Sequence, residues 1–171
     1  MTEIRRTFDC LTFLEENHPS DEALSVKRYG KWEHVSTAEY RKNVDNFSMG
    51  LIAKGFKKGD KIATVTNNRP EWNYIDFGMS QLGCVHVGIY PTISEIEYTH
   101  ILGHSDSKIL IVSSEELYLK LKPVFDKIDT VEEIYTIDQV DGVKNYAEIL
   151  ELGASKESEL RDELNKMRDD V

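Results

Sequence analysis

The 171-residue sequence has little cysteine and proline, and it has no long apolar run. Its two cysteines, Cys10 and Cys84, stand in unrelated settings, which excludes a disulfide framework and indicates a reducing compartment. We therefore expect a cytoplasmic protein. No segment approaches the roughly 18 consecutive apolar residues of a membrane-spanning helix, so we also expect no transmembrane segment.

Positive charge is scarce as well, since 21 Lys and Arg residues stand against 31 Asp and Glu residues and give a formal net charge of −10. Proteins that bind nucleic acids usually carry a concentrated basic surface, whereas the basic residues here are scattered along an acidic chain. The sequence therefore predicts no nucleic-acid partner.

The sequence does have the composition of an ordinary globular domain, with 40% hydrophobic and 30% charged residues. At this length a folded chain can bury roughly 70% of the surface that its unfolded form exposes, which is enough for one sizeable core. The period at which apolar residues recur switches repeatedly between about 3.6 residues and 2 residues, which is typical of alternating helices and strands. These features predict an α/β protein.

The chain is predicted to begin with a short helix around Leu11, followed by a β-hairpin over residues 23–35 that turns at Gly30-Lys31. Two later helices start with capping boxes, Ser36 with Glu39 and Ser94 with Glu97. Glycines are predicted to end these two helices, at Gly55 and Gly103.

Four strands are predicted to alternate with helices, over residues 61–66, 85–90, 109–112 and 133–137. Short connections of this kind imply right-handed crossovers and parallel strands. We expect a three-layer sandwich, with a mainly parallel sheet flanked by helices and preceded by the short helix and the hairpin.

Two pairs of residues have the spacing of a ligand-binding motif, but the other residues that each motif requires are missing. Gly50 and Gly55 have the spacing of a phosphate loop, but Phe56-Lys57 stand where Lys and Ser or Thr are needed, and Gly50 lies within a predicted helix. His100 and His104 would share one helix face, yet no third ligand is positioned near them. Neither spacing predicts a site, and we expect no metal ligands in the chain.

Four further features of the sequence could have a functional role, but a structural role is the preferred interpretation of each. A basic loop containing Lys57, Lys58 and Lys61 could contact an anionic group, but it is predicted to be a solvated turn. Cys84 is predicted to be a core residue and not a nucleophile. Glu71 is interpreted first as a favourable partner of a helix dipole, and Trp72 as a core anchor.

Several short stretches together carry more information than any single motif. In chain order they are Gly30-x-Trp32, Gly55, Gly59-Asp60-Lys61-Ile62-Ala63, Asn67-Asn68-Arg69-Pro70-Glu71-Trp72, Gly83-Cys84-Val85 and Tyr90-Pro91-Thr92. Their order and spacing resemble the N-terminal subdomain of adenylate-forming acyl-CoA synthetases. The Asn-Arg-Pro-Glu-Trp and Tyr-Pro-Thr stretches look like the long-chain fatty-acid CoA ligases of that family.

The resemblance implies that the intact protein joins a fatty acid to ATP with Mg²⁺, and then transfers the acyl group to coenzyme A. The partners implied are fatty acid, ATP and CoA, with peripheral membrane contact of the intact enzyme. The family's Ser/Thr/Gly-rich phosphate loop is not among these residues, because no Gly-Gly, Ser-Gly or Thr-Gly pair occurs. We therefore expect residues 1–171 to be an N-terminal fragment, inactive alone and without a tightly bound cofactor.

The resemblance assigns no catalytic residue to this chain. It marks a set of signature residues with a structural or channel-supporting role at the carboxyl ends of strands, namely Asn68, Arg69, Pro70, Glu71, Trp72, Tyr90, Pro91 and Thr92. Removal of the rest of the enzyme is expected to uncover apolar surface and to favour self-association.

Two alternatives stay open. The intact protein could be another adenylate-forming ligase, of the acetyl, aryl or peptide-synthetase type, because the resemblance places the chain-length pockets outside this segment. The chain could also be a stand-alone, non-catalytic α/β binding module. The coding sequence after Val171 discriminates between the ligase and the module.

Overall fold

A computed structural model describes residues 3–171, so the first two residues of the predicted subdomain lie outside the described residues. The helices, in chain order, are α1 Asp9–Asn17, α2 Thr37–Ala53, α3 Pro70–Ser80, α4 Glu95–Ser105, α5 Glu115–Phe125, α6 Ala147–Ser155 and α7 Glu157–Asp169. The strands are β1 Leu24–Arg28, β2 Lys31–Val35, β3 Lys61–Val65, β4 Val85–Ile89, β5 Ile109–Val112 and β6 Glu133–Thr136.

The central sheet has the strand order β4-β3-β5-β6, and all of its pairs are parallel. β1 and β2 form a separate antiparallel hairpin. The predicted fold class is confirmed, because helices cover both faces of this sheet and a short helix and a hairpin precede it.

The alternation of side chains in β5 shows how the two faces are filled. Ile109 and Ile111 join a cluster with apolar residues of α2, α3, α6 and α7. Leu110 and Val112 join a second cluster on the opposite face, with residues of α4 and α5. A strand that is apolar at every position therefore lies buried between two helical layers, as parallel strands do.

Both capping boxes form as predicted, but two turns differ from their predictions. The hairpin turns at Tyr29 and Gly30, which have φ angles of 49° and 81°, and not at Gly30-Lys31. Helix α4 continues past Gly103 to Ser105, because Asp106 takes the left-handed conformation (φ 52°) that was expected of the glycine. Asp tolerates that conformation better than most residues.

The backbones of α2 and α6 touch each other at two glycines. A Cβ atom on Gly153 would lie 1.9 Å from the carbonyl oxygen of Asn46 and 2.6 Å from the nitrogen of Gly50. A Cβ atom on Gly50 would lie 2.0 Å from the carbonyl oxygen of Ile149. The two helices can approach this closely only because both positions lack a side chain.

Helix α7 is polar along most of its length, yet it is attached to α2 by a buried acid. Asp45 accepts hydrogen bonds from Arg161 and Arg168, each at 2.5 Å. Leu164, on the same helix, is completely buried. Leu164, the partly buried Leu160 and Met167, and the two ion pairs therefore dock a helix that its composition alone would leave in solvent. Among residues 3–171 no helix is both long enough and apolar enough to span a membrane.

The contact between α2 and α6 gives a matched pair of glycine substitutions. We expect Gly153→Ala to lower the free energy of unfolding by about 3 kcal/mol or more, because the new methyl group overlaps backbone atoms that cannot move aside. Gly103→Ala is the control, since that exposed helical glycine has no atom within 4 Å of the added Cβ. It should gain up to about 1 kcal/mol. Urea denaturation measures both values, and equal effects would contradict the close contact.

Candidate functional site

The carboxyl ends of the parallel strands form the part of the molecule with the features of a ligand site. The helix after β3 packs on one face of the sheet, and the helix after β5 packs on the other. Because these two neighbouring strands send their connections to opposite faces, their loops diverge. Open α/β sheets form their ligand crevices at such a point.

Two adjoining cavities lie along this edge, with volumes of about 600 Å³ and 310 Å³. Asn67 and Asn68, in the loop after β3, line both of them. We call the larger cavity the Trp72 crevice and the smaller one the Arg69 crevice. Both fall within or near the size range of small-molecule sites.

The Trp72 crevice lies between the ends of β3 and β4. Its lining residues are Thr66, Asn67, Asn68, Trp72, Gly88, Ile89, Tyr90, Pro91 and Thr92. None of these lining residues is charged. The loop that carries the last three is held in place by two donors, because the Tyr98 hydroxyl donates to the carbonyl of Tyr90 at 3.0 Å and Lys120 Nζ donates to that of Pro91 at 3.1 Å.

Trp72 forms a wall of this crevice and is not the core anchor that was predicted. Ile75 and Met79, on the same helix, are completely buried, whereas Trp72 is only half-buried. Its ring lies 5.0 Å from the ring of His86, measured between centroids. Helical periodicity identified the face correctly, but at the position of Trp72 this face borders the crevice and not the closed core.

The Arg69 crevice is organised by a buried carboxylate. Glu71 accepts two hydrogen bonds from Arg69, from Nε at 2.8 Å and from the terminal nitrogen at 3.1 Å. It also accepts one from Arg28 of β1. Arg69 in turn donates to the carbonyl of Ser113 at 3.1 Å and to Asp138 at 3.0 Å. The network joins the hairpin to the ends of β3, β5 and β6.

Both oxygens of Glu71 are therefore occupied, which makes this residue a poor candidate for a general base. Burial by itself raises the pKa of Glu71, but the hydrogen bonds and positive charges of Arg69 and Arg28 outweigh it and hold the pKa below its ordinary value of 4.5. The interpretation of Glu71 as mainly a helix-dipole partner is incomplete, since its principal role in the structure is to bind two arginines.

The structure brings the signature residues together at this one edge. Asn68, Trp72, Tyr90, Pro91 and Thr92 line the Trp72 crevice, and Arg69 lines the smaller one. Pro70, buried at the first position of α3, fixes the start of that helix and Glu71 follows it. Their roles toward a ligand remain predictions.

Sequence reasoning missed three members of the site. Ser113 directly follows β5, and Asp138 lies two residues after the end of β6, so the rule that parallel strands end at one edge could have identified them. Arg28 could not have been identified in that way, because nothing in the local sequence shows that the hairpin folds over this edge.

The alternative candidates have structural roles. The rings of His100 and His104 stack with their centroids 6.0 Å apart, and no three His, Cys, Asp or Glu residues within residues 3–171 form a group that could hold a metal ion. Burial raises the pKa of the Cys84 thiol to about 12, which makes it a poor nucleophile. In the basic loop, Lys58 donates to the carbonyl of Asp170 at 2.6 Å.

The family model described as "AMP-binding enzyme" matches residues 14–170. Among curated proteins, the long-chain-fatty-acid–CoA ligase heimdall of Drosophila melanogaster is 23% identical over 141 residues, which cover 78% of this chain and 20% of that protein. The 4-hydroxybutyrate–CoA ligase 2 of Metallosphaera sedula is 33% identical over 121 residues, which cover 69% of this chain and 21% of that protein. The chain thus spans about a fifth of the length of these relatives.

A similar fold occurs in solved structures. The long-chain-fatty-acid-CoA ligase FadD1 of Archaeoglobus fulgidus superposes with a TM-score of 0.73 at 19% identity, covering 90% of this chain and 31% of that one. The likeness extends over the sheet and its helical layers and so establishes a common architecture.

Glu71 provides a test of the network. We expect Glu71→Gln to lower the free energy of unfolding by about 2 kcal/mol, less than for a fully buried pair because Arg28 is partly exposed. The matched control is Glu33→Gln, which removes an exposed partner of the same arginine at 3.5 Å and should cost under about 0.5 kcal/mol. Equal losses in urea denaturation would contradict a special role for Glu71.

The pKa of Glu71 also predicts a pH dependence. Because the folded-state pKa lies below 4.5, the unfolded chain binds a proton first as the pH falls. The contribution of Glu71 to stability is therefore complete above pH 4.5 and is lost as the pH falls through the lowered folded value. Plotted between pH 7 and 3, the free energy of unfolding should fall less steeply for Glu71→Gln than for the unchanged chain. Parallel profiles would refute the prediction.

Proposed function

The chain belongs to the AMP-binding enzyme family, and we propose that it is the N-terminal α/β subdomain of an ATP-dependent long-chain fatty-acid CoA ligase. Two matches carry the proposal: the family model covers residues 14–170 of this chain, and the alignment with the fatty-acid ligase relative covers 78% of this chain but only 20% of that protein. The resemblance of the Asn67–Trp72 and Tyr90–Thr92 stretches to the long-chain ligases supports the choice of substrate class.

The proposed reaction has two steps. The carboxylate of a fatty acid attacks the α-phosphate of ATP, which gives an acyl-adenylate and releases pyrophosphate. The thiol of coenzyme A then attacks the acyl carbon, and AMP leaves. A carboxylate is a poor electrophile, so the first step supplies the leaving group that the second step needs.

The described residues suit a supporting role in this chemistry. In the Trp72 crevice the apolar wall and the amides of Asn67 and Asn68 favour an uncharged part of a substrate, such as an acyl or amide chain. In the Arg69 crevice the arginines are already paired with Glu71 and Asp138, so they are poorly placed to neutralise a triphosphate. Within residues 3–171 no three His, Cys, Asp or Glu residues form a group that could hold a metal ion, and we assign the proposed Mg²⁺ to no residue of this chain.

ATP–pyrophosphate exchange tests the ligase proposal. With palmitate and Mg²⁺, we expect no exchange from residues 1–171 and clear exchange from a chain extended through the downstream coding sequence. That sequence should contain a Thr-Ser-Gly-Thr-Thr-Gly-like run within a few dozen residues. Exchange by residues 1–171 alone would refute the inactive fragment, and a stop codon directly after Val171 would refute the subdomain.

The same assay with different acids distinguishes a long-chain ligase from another adenylate-forming ligase and from a binding module. Palmitate, acetate, 4-hydroxybutyrate and an aryl acid should be compared at equal concentration, with a reaction lacking any acid as the control. Preference for palmitate supports the long-chain assignment. Preference for a short or aryl acid supports another adenylate-forming ligase, and failure of every acid in the extended chain supports the binding module. Cytoplasmic location and peripheral membrane contact remain predictions for the intact enzyme.

Self-association is proposed to occur through the outer edge of β4. This strand pairs only with β3 among the described residues, carries no formally charged residue, and leaves Val85 46% exposed. The outer edge of β6 differs, because Thr136 exchanges backbone hydrogen bonds with residues 144 and 146. An uncovered edge can pair with a second copy of the chain.

Light scattering during size-exclusion chromatography measures this association. We expect the average mass to rise with concentration toward that of a dimer, and we expect Val85→Lys to suppress the rise, because a lysine on an edge strand opposes pairing. Leu119→Lys, at an exposed apolar position on α5, is the control and should leave the association unchanged. A monomer at all concentrations would contradict the proposal.

A further inference from the structure

Behind the Trp72 crevice, three hydrogen-bonded polar side chains join α3 to β4 and β3 on one face of the sheet. Asp76 of α3 lies 2.7 Å from His86 Nδ1 on β4, and His86 Nε2 lies 2.8 Å from the hydroxyl of Thr64 on β3. Thr64 is 1% exposed, and the His86 side chain is 9% exposed. Such a buried network lies outside the crevice lining and is not used by the proposed reaction.

The periodicities of α3 and β4 place this network directly beneath Trp72. Trp72 and Asp76 are four residues apart and share one face of the helix. His86 and Gly88 are two residues apart and share one face of the strand. The indole of Trp72 therefore lies against both strand positions, with its centroid 5.0 Å from that of His86 and its Cζ2 atom 3.9 Å from a Cβ built on Gly88.

We infer that His86 is a positioning residue for the Trp72 crevice: it is held by Asp76 and Thr64, and it supports the indole that forms the crevice wall. The relevance of this wall to a substrate rests on the proposed function. The placement of Trp72 itself does not, because it follows from contacts within the chain.

The two hydrogen bonds explain why a histidine is suited to this position. A carboxylate can only accept, so Nδ1–H of His86 donates a hydrogen bond to Asp76, and in neutral His86 the Thr64 hydroxyl then donates to Nε2. If the imidazole is protonated, Nε2 donates instead, and the hydroxyl oxygen of Thr64 can accept. The ring keeps both partners in either protonation state, so its orientation under Trp72 is maintained.

Tryptophan fluorescence can test the inference, since the sequence contains only Trp32 and Trp72. A Trp32→Phe chain reports on Trp72 alone, and a Trp72→Phe chain reports on Trp32, whose 62% exposure supplies a reference for an open indole. In the Trp32→Phe chain, His86→Phe keeps an aromatic ring but removes both hydrogen bonds. We expect the acrylamide quenching constant of Trp72 to rise roughly halfway toward that of Trp32.

Two conservative substitutions of Thr64 distinguish a role of its hydroxyl in positioning His86 from a role in filling space alone. Thr64→Val has a similar shape but no hydroxyl, so we expect the quenching constant to rise. Thr64→Ser keeps the hydroxyl, so it should restore the original value. His34→Phe is the control, because that histidine lies in the hairpin with its side chain 39% exposed. It should leave Trp72 unchanged.

The inference is overturned if His86→Phe and Thr64→Val leave both the quenching and the near-ultraviolet circular dichroism of Trp72 unchanged. It is also overturned if Thr64→Val and Thr64→Ser change them equally. Should His86→Phe fail to fold, by far-ultraviolet circular dichroism, the Thr64 pair decides. These measurements need no ligase activity, so failure of the proposed function in the exchange assay and failure of this inference are observed separately.

Discussion

Strand β3 is enclosed on both edges, and this enclosure determines where the helices and loops around it can lie. This strand pairs with β4 on one edge and with β5 on the other, and residues 62–65 are buried. Both of its partners come later in the chain, so the connections must cross the sheet in right-handed turns. Because α3 and α5 then lie on opposite faces, the loops at the carboxyl ends separate, and the two crevices form between them.

Charge is distributed unevenly along these crevices. Around the smaller one, Arg28 and Arg69 are neutralised by Glu71 and Asp138, so the charged groups hold structural elements together. The larger one has an uncharged lining. Recognition at this edge would therefore depend on shape, aromatic surface and amide groups, and the net charge of −10 gives no long-range attraction for phosphates.

Local physical chemistry made most of the fold predictable. Ser36 with Glu39 and the apolar run of β5 depend on neighbours within a few residues, and both were confirmed. Two turn positions were wrong for a local reason, because Tyr29 and Asp106 take left-handed backbone conformations. Other features could not be predicted because distant contacts decide them. Trp72 was predicted to be a core anchor but lines a crevice that the loops after β3 and β4 complete. The docking of α7, on which no prediction was made, depends on the arginines that Asp45 binds. The site edge was predictable from strand order, whereas the contribution of Arg28 depends on a hairpin whose placement no local pattern encodes.

The burial of α2 has a consequence for biosynthesis. Residues 44–52 are all buried, and part of their cover is α6 and α7, which the ribosome makes roughly 100 residues later. At about 5–20 residues per second, this apolar segment would wait roughly 5 to 20 s for its covering helices. During that interval the apolar side chains of this segment lack part of their native cover, so the order of synthesis leaves α2 open to chaperones and to aggregation until α6 and α7 have formed.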